Sequence, residues 1–120
     1  MKKTLVLLVV ISVAFFSCKK ENSPLAQKTF KVKYTIGCTD CEVIYVSDTS
    51  GTQTSEYHKS TGWSYSFNGK KNQQLLFLAY NTSSVMQGVS ATISINDSVA
   101  ATQTNYCPVS GDAFVVDTIQ

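Results

Sequence analysis

The sequence predicts an all-β protein: a small immunoglobulin-like antiparallel β-sandwich of seven to eight strands that follows a signal peptide. Three observations support this prediction. Apolar and polar residues alternate with a period of two in several segments, as from Phe30 to Ile36, which is typical of strands buried on one face. Turn-forming residues separate these segments, and none of them shows helical periodicity. Many short strands divided by turns favour two packed antiparallel sheets.

The first and sixth strands show the clearest alternation, and so does the fourth, where Trp63, Tyr65 and Phe67 alternate with serines. The third strand is polar, which predicts a position near a sheet edge. The fifth strand is continuously apolar, which predicts a central strand covered on both sides. The predicted strands are residues 29–36, 42–47, 52–59, 63–67, 74–80, 89–95, 99–102 and 113–118.

Turn signals connect several of these strands. Residues 48–51 (Asp-Thr-Ser-Gly), Asn68-Gly69 and residues 96–98 (Asn-Asp-Ser) each combine residues that favour tight turns. Cys107 and Pro108 lie in a predicted loop before the last strand.

The first 17 residues predict a signal peptide. Lys2 and Lys3 precede an apolar run that is too short to span a bilayer comfortably. The run ends at Ser17-Cys18, which resembles the lipobox of Bacteroidetes-type bacterial lipoproteins, with Phe15 where Leu is preferred. The resemblance implies that Cys18 carries a diacylglycerol and a further acyl chain such as palmitate, and so becomes the membrane-anchored N-terminus.

The mature chain then divides into a tether and a domain. Residues 18–28 are polar, contain Pro24 and lack periodicity, so we expect a flexible tether with a mean reach of roughly 18 Å. The domain covers residues 29–120. No Asp follows Cys18, so the resemblance to lipoprotein sorting signals favours the outer membrane and leaves the leaflet open.

Charge argues against one class of ligand. The 120-residue chain has no Arg, and removing Lys2 and Lys3 from its ten basic residues leaves eight, which balance the eight acidic ones. A neutral domain is a poor candidate for nucleic-acid binding. The remaining lysines near the anchor could face anionic headgroups or form an ordinary solvated surface; they are Lys19, Lys20, Lys28, Lys31 and Lys33.

The most specific local motif is Cys38-Thr39-Asp40-Cys41, with Cys107 far downstream. A redox pair requires a stabilised thiolate, and a zinc site with His58 as fourth ligand lacks a second Cys or His pair. A structural disulfide is the simplest interpretation outside the cytoplasm. We expect Cys107 to bond Cys38 or Cys41 in preference to a local Cys38–Cys41 bond.

The other candidates have ordinary structural explanations. Trp63, Tyr65 and Phe67 could form a stacking platform, but such a row is more often core. Tyr57 and Tyr106 are better candidates for an exposed binding surface. His58 is the only histidine, and no nucleophile accompanies it. The sequence therefore predicts no catalytic residue, metal site or cofactor, and Asp48, Asp97 and Asp112 are expected in turns.

Several segments together resemble the MmpS-like proteins, the small partners of mycobacterial lipid-exporting transporters. The resemblance extends from about Lys31 to Val116, and it implies an accessory role beside an envelope transporter. The segments are Val32-Lys33-Tyr34, Val43-Ile44-Tyr45, Gly51-Thr52, Trp63, residues 76–81 (Leu-Phe-Leu-Ala-Tyr-Asn) and residues 93–97 (Ile-Ser-Ile-Asn-Asp).

The functional expectation is a non-catalytic binding or interaction module anchored in the cell envelope. Its partners are the membrane and an envelope protein or transporter. Two alternatives remain: a structural surface lipoprotein without a specific ligand, and a small thiol-redox protein that uses Cys38 and Cys41.

Overall fold

A computed structural model describes residues 29–120 of the chain. The predicted signal peptide (1–17) and the lipidated tether (18–28), which contains Cys18, Lys19, Lys20 and Lys28, lie outside the described residues. Residues 29–120 contain no helix long and apolar enough to cross a membrane. Their strands are β1 (Thr29–Gly37), β2 (Cys41–Val46), β3 (Gln53–Lys59), β4 (Ser64–Lys70), β5 (Gln74–Asn81), β6 (Gln87–Ile95), β7 (Ser98–Cys107) and β8 (Asp112–Thr118).

The strands form two four-stranded antiparallel sheets, which confirms the predicted all-β sandwich. The first sheet has the order β4-β1-β6-β7 and the second sheet has the order β3-β2-β5-β8. Only the hairpins β2–β3 and β6–β7 stay within one sheet; every other connection crosses to the other sheet. The two halves of the chain have equivalent topology. If β1–β4 exchange numbers with β5–β8, the order of the first sheet becomes 8-5-2-3, which is the order of the second sheet read backwards.

Alternating side chains from both sheets build the core. Val32 and Tyr34 of β1, Phe77 of β5 and Ile93 of β6 are fully buried. Trp63, Tyr65 and Phe67 pack against this core from the β4 side, so the prediction that they are core residues is confirmed. Their ring contacts include Tyr45–Tyr65 with centroids 4.7 Å apart and Tyr45–Trp63 at 5.5 Å.

Two tyrosines of the core, the buried Tyr34 and the half-buried Tyr65, form hydrogen bonds through their hydroxyl groups within the sandwich. The Tyr34 hydroxyl donates to the Val46 carbonyl at 2.7 Å, and the Tyr65 hydroxyl donates to the Ser47 carbonyl at 2.9 Å. Because a buried hydroxyl without a partner is costly, these bonds fix where β2 ends against β1 and β4.

Three predicted details are wrong. β5 is internal in its sheet, but its buried residues are the alternate ones, Leu75, Phe77, Ala79 and Asn81, and the residues between them face outward. Gly69 is not in a turn: it lies buried near the end of β4, and the turn follows at residues 71–72. β7 continues to Cys107, beyond the predicted end at residue 102.

The two ends of the sandwich differ in their distance from the N-terminus. The proximal end contains Thr29, where the described chain begins, and the β6–β7 turn, whose Asn96 backbone amide donates to the Lys31 carbonyl at 2.8 Å. The distal end contains the loops β1–β2, β3–β4, β5–β6 and β7–β8.

Candidate functional site

An apolar surface lies on the outside of the second sheet. Residues of β2, β5 and β8 that point away from the core form it, and we call it the apolar face: Ile44, Leu76, Leu78, Phe114 and Val116. Cross-strand pairing aligns Ile44, Leu78 and Phe114 in one row and Leu76 with Val116 in the next. Phe114 is 42% exposed and Val116 is 58% exposed, whereas Ile44, Leu76 and Leu78 are half-buried.

The outer face of the first sheet has the opposite character. Its outward positions are Ser, Thr, Asn, Lys and Gly, except for Val99 and Tyr106 on the edge strand β7. Thr92 and Thr102 even share a hydrogen bond across two strands, with their hydroxyl oxygens 2.9 Å apart. The two faces of one small domain therefore differ strongly in polarity, and the apolar one is the candidate functional surface.

A pocket borders the apolar face at the distal end. It has a volume of about 400 Å³ and is lined by Glu42, Tyr80, Asn81, Thr82, Val109 and Ser110; we call it the rim pocket. Glu42 and Asp112 flank Tyr80 in one cross-strand row. The Ser55 hydroxyl donates to the Glu42 carboxylate at 2.9 Å, and a hydrogen bond from Tyr57 to the same carboxylate raises the pKa of Tyr57.

A buried amide organises the loops beside the rim pocket. Asn81 is fully buried, and its amide nitrogen donates to the carbonyls of Val85 and Cys107, both at 2.9 Å. Its side-chain oxygen accepts from the Ser83 backbone amide at 3.0 Å and from the Gln87 amide at 2.8 Å. One side chain thus joins the β5–β6 loop to the end of β7, which keeps the pocket wall in place.

The Cys38-Thr39-Asp40-Cys41 turn is tied to the same loops. The Gln87 side-chain oxygen accepts from the Thr39 backbone amide at 2.7 Å, and the Asp40 carbonyl accepts from both the amide and the hydroxyl of Thr82 at 3.1 Å. The turn therefore forms part of the frame around the rim pocket.

The structure corrects the predicted disulfide pairing. Cys38 bonds Cys41, with their Cα atoms 6.4 Å apart, and Cys107 is a buried free thiol. The tight turn brings the first two sulfurs together, whereas the Cys107 sulfur contacts the carbonyls of Asn105 and Asp112 at 3.6 and 3.5 Å. Cys38 and Cys41 are themselves buried, which suits a structural bond better than exchange with a redox partner. Burial also raises the pKa of the Cys107 thiol.

A partly buried carboxylate lies at the β3–β4 side of the core. Glu56 accepts a hydrogen bond from the Tyr45 hydroxyl at 2.5 Å and forms an ion pair with Lys59 at 3.3 Å. The Tyr45 bond is the largest cause that lowers the pKa of Glu56. Burial is the largest cause that raises the pKa of Tyr45. The Tyr45 hydroxyl and the Glu56 carboxylate both have partners within the domain, so we interpret this pair as structural.

The remaining predicted candidates are dispersed over the domain. Tyr57 and Tyr106 are both exposed, but Tyr57 lies on β3 of the second sheet and Tyr106 on β7 of the first, so they form no common surface. His58 is exposed and pairs with Asp40 at 3.2 Å. Among residues 29–120, no three His, Cys, Asp or Glu side chains converge as metal ligands.

The predicted lysines and turn aspartates that the structure describes lie on the surface or in turns, and some of them pair with neighbouring residues. Lys31 and Lys33 point outward from the first sheet, and Lys31 pairs with Asp97 at 3.7 Å. Asp48 accepts hydrogen bonds from the Ser50 hydroxyl and from the backbone amides of Ser50 and Thr52. These bonds lower the pKa of Asp48, and the Ser50 hydroxyl has the largest effect. Asp48 and Asp97 lie in turns as predicted, whereas Asp112 begins β8.

Sequence reasoning missed the apolar face and the rim pocket. The apolar run in β5 was the available signal, but a run without alternation does not tell which of its two faces is covered. Asn81 gave no signal, because an amide that follows a strand is ordinarily a turn residue.

The comparisons with known proteins add no family assignment. No protein-family model matches the chain, and a search of curated proteins finds no similar sequence. The fold and the surface therefore define the protein as a small antiparallel β-sandwich with one apolar outer face.

Proposed function

We propose that this protein is an exported, lipid-anchored, non-catalytic interaction module of the cell envelope. The observation that supports this function most directly is the apolar face of the second sheet, set against the polar outer face of the first. An apolar patch of this kind on a small domain commonly marks a binding site.

The anchor belongs to the proposal through the sequence. Cys18 follows an apolar leader, and a tether of residues 18–28 leads into β1. A tether of this length keeps the proximal end near the bilayer, with Lys31 and Lys33 on the strand that emerges from it. We place the anchor in the outer membrane, where these lysines and those of the tether face anionic headgroups.

An accessory role beside an envelope transporter is the finer form of the proposal. It rests on the resemblance to MmpS-like proteins, whose quoted positions include the core residues Val32, Tyr34 and Ala79 and the buried Asn81. These positions speak for the fold, so the role itself needs a direct test.

The test uses the native lipoprotein in its own membrane. Cells that express the tagged chain are labelled with an alkyne fatty acid, cross-linked and solubilised, and the captured proteins are identified by mass spectrometry. We expect label on the wild-type chain and none on Cys18→Ala, together with recovery of a transporter subunit by the wild-type chain only. An unlabelled wild-type chain would refute the anchor, and equal recovery from wild type, Cys18→Ala and an untagged control would refute the interaction role.

A further inference from the structure

We propose that the apolar face and the rim pocket together bind a partner protein that inserts a cationic side chain, Arg or Lys, between Glu42 and Tyr80. This inference rests on the proposed function, because it names the surface and the partner chemistry of the same interaction module.

The size of the apolar face requires a partner that also uses its polar border. Same-face positions along a strand of an antiparallel sheet lie about 7 Å apart and neighbouring strands about 4.8 Å apart, so the five apolar residues and Tyr80 cover roughly 200 Å². A stable interface buries about 800 Å² on each partner. The apolar face can therefore supply the centre of an interface, while its rim must come from residues such as those of the rim pocket.

The charge at the rim pocket specifies the partner's complementary group. Glu42 accepts a hydrogen bond from the Ser55 hydroxyl at 2.9 Å, which helps to hold its carboxylate in place. Among residues 29–120, the carboxylates with a basic side chain beside them are Asp97 with Lys31, Asp40 with His58 and Glu56 with Lys59, so Glu42 lacks a cation. The Tyr80 ring beside it offers a face for a cation–π contact, in which Arg is the commonest protein cation.

The surrounding loops are already held in the binding geometry. Asn81 and Thr82 line the pocket and are bonded to the carbonyls of Cys107 and Asp40, and the Cys38–Cys41 bond closes the turn that contains Asp40. A pocket fixed in this way loses little conformational entropy when a ligand enters.

The same charges argue against a second copy of this chain as the occupant. Two copies anchored in one membrane have their proximal ends on the same side, so their two-fold axis follows the membrane normal. Each row of the apolar face would then meet the same row of the other copy. Glu42 and Asp112 would face like charges, which is unfavourable at an interface.

Site-specific photo-cross-linking in cells tests the proposal. A benzophenone amino acid replaces Leu78 in the apolar face, Thr92 on the first sheet or Val85 in a distal loop, each in the full-length lipoprotein. We expect an adduct from position 78 and at least fivefold less from the other two. Mass spectrometry should place a Lys or Arg within a few residues of the cross-linked site on the partner.

A matched pair of carboxylate variants tests the role of Glu42. Glu42→Gln should lower the adduct from position 78 at least threefold, whereas Asp97→Asn, on the far side of the domain, should leave it unchanged. Equal thermal unfolding of both variants excludes misfolding as the cause. An adduct to a second copy or to lipid, or an adduct insensitive to Glu42→Gln, would overturn the inference.

The three cross-linking positions also distinguish failure of the proposed binding surface from failure of the proposed interaction role. Adducts from position 92 or 85 alone would overturn this surface and keep the interaction role. No adduct from any of the three positions would count against both.

Discussion

At the scale of single residues, stability at the distal end depends on satisfying buried polar groups. Asn81 is the clearest case, because its amide group makes four hydrogen bonds in a fully buried site. A buried group that loses its partner costs its full desolvation energy, which exceeds the net value of an average hydrogen bond. The residue thus matters more for stability than its polar character suggests.

We expect Asn81→Ala to lower the free energy of unfolding by roughly 2–4 kcal/mol, because it removes four hydrogen bonds, including the buried one to the Cys107 carbonyl. Asn105→Ala is the matched control: Asn105 is exposed and donates one bond, to the Asp112 carbonyl at 2.9 Å, and should cost less than about 1 kcal/mol. Urea unfolding monitored by the fluorescence of Trp63 measures both. Equal losses would show that the Asn81 bonds are dispensable.

The lowered pKa of Glu56 implies that the stability of the domain depends on pH. Its pKa is lower in the folded protein than the ordinary value of 4.5, so its stabilising effect is present above pH 4.5 and is lost as the pH falls through the lowered pKa. At pH 7, Glu56→Gln should cost about 1 kcal/mol, since the group is partly solvent-screened.

At pH 3 that difference between wild type and Glu56→Gln should be much smaller. Asp97→Asn, which removes only an exposed ion pair with Lys31, should cost no more than about 0.5 kcal/mol at either pH. Unfolding by urea at the two pH values decides the question, and a Glu56→Gln effect that grows toward pH 3 would contradict the assignment.

At the scale of strands and turns, sequence periodicity succeeds where one face of a strand is buried. β1 and β6 were predictable because each apolar side chain in them marks the covered face. β5 was misread because Leu76 and Leu78 are apolar on a face that the domain leaves open. The disulfide pairing was also unpredictable, since it depends on how the turn at Cys38 folds and on which side Cys107 faces.

Gly69 shows how a residue type can mislead. Asn-Gly is a strong turn signal, yet Gly69 is buried in β4, and a Cβ atom there would lie 2.6 Å from Ile119 Cδ1 and 3.1 Å from Val32 Cγ2. The glycine is needed because the C-terminal segment packs directly against the backbone of β4.

Gly69→Ala should therefore lower stability by about 1–3 kcal/mol through overpacking. Gly88→Ala provides the control, because a Cβ atom there has nothing within 4 Å. Thermal unfolding of the two variants compares them directly. A Gly69→Ala variant as stable as Gly88→Ala would mean that Ile119 moves aside without cost.

The Cys38–Cys41 disulfide also stabilises the turn between β1 and β2. A bond that closes a ring of only four residues should stabilise by roughly 2 kcal/mol in the chain-entropy treatment. Reduction of the wild type should lower the unfolding free energy by that amount, and Cys107→Ala should respond to reductant as the wild type does.

Alkylation of the mature protein checks the pairing independently. Without reductant, one thiol, Cys107, should react, and only after denaturation, because it is buried in the fold. Alkylation of Cys38 or Cys41 under these conditions would contradict the Cys38–Cys41 bond.

At the scale of the whole molecule, the topology separates the anchor from the candidate binding site. Sheet order 4-1-6-7 against 3-2-5-8 places β1 inside the first sheet, whereas the apolar face lies on the second sheet. The strands run from the proximal end to the rim pocket, and nine residues of β1 span about 30 Å. The sequence could not show which strands share a sheet. The two halves of the chain have equivalent topology, but their amino-acid sequences show no repeat that would indicate it.

If the tether holds the proximal end at the bilayer, the distances of Val99 and Val85 from the membrane should show how the domain is oriented. Val99 lies at the proximal end and is 65% exposed, and Val85 lies at the distal end and is 67% exposed. A fluorophore on a cysteine at either position of the lipidated protein, in vesicles with nitroxide-labelled lipid, should be quenched at least twice as strongly at 99 as at 85. Because the two sites are equally exposed, the difference measures height above the membrane. Equal quenching would mean that the sandwich lies flat, and stronger quenching at 85 would mean that the rim pocket faces the lipid, which would contradict the separation of the anchor from the binding site.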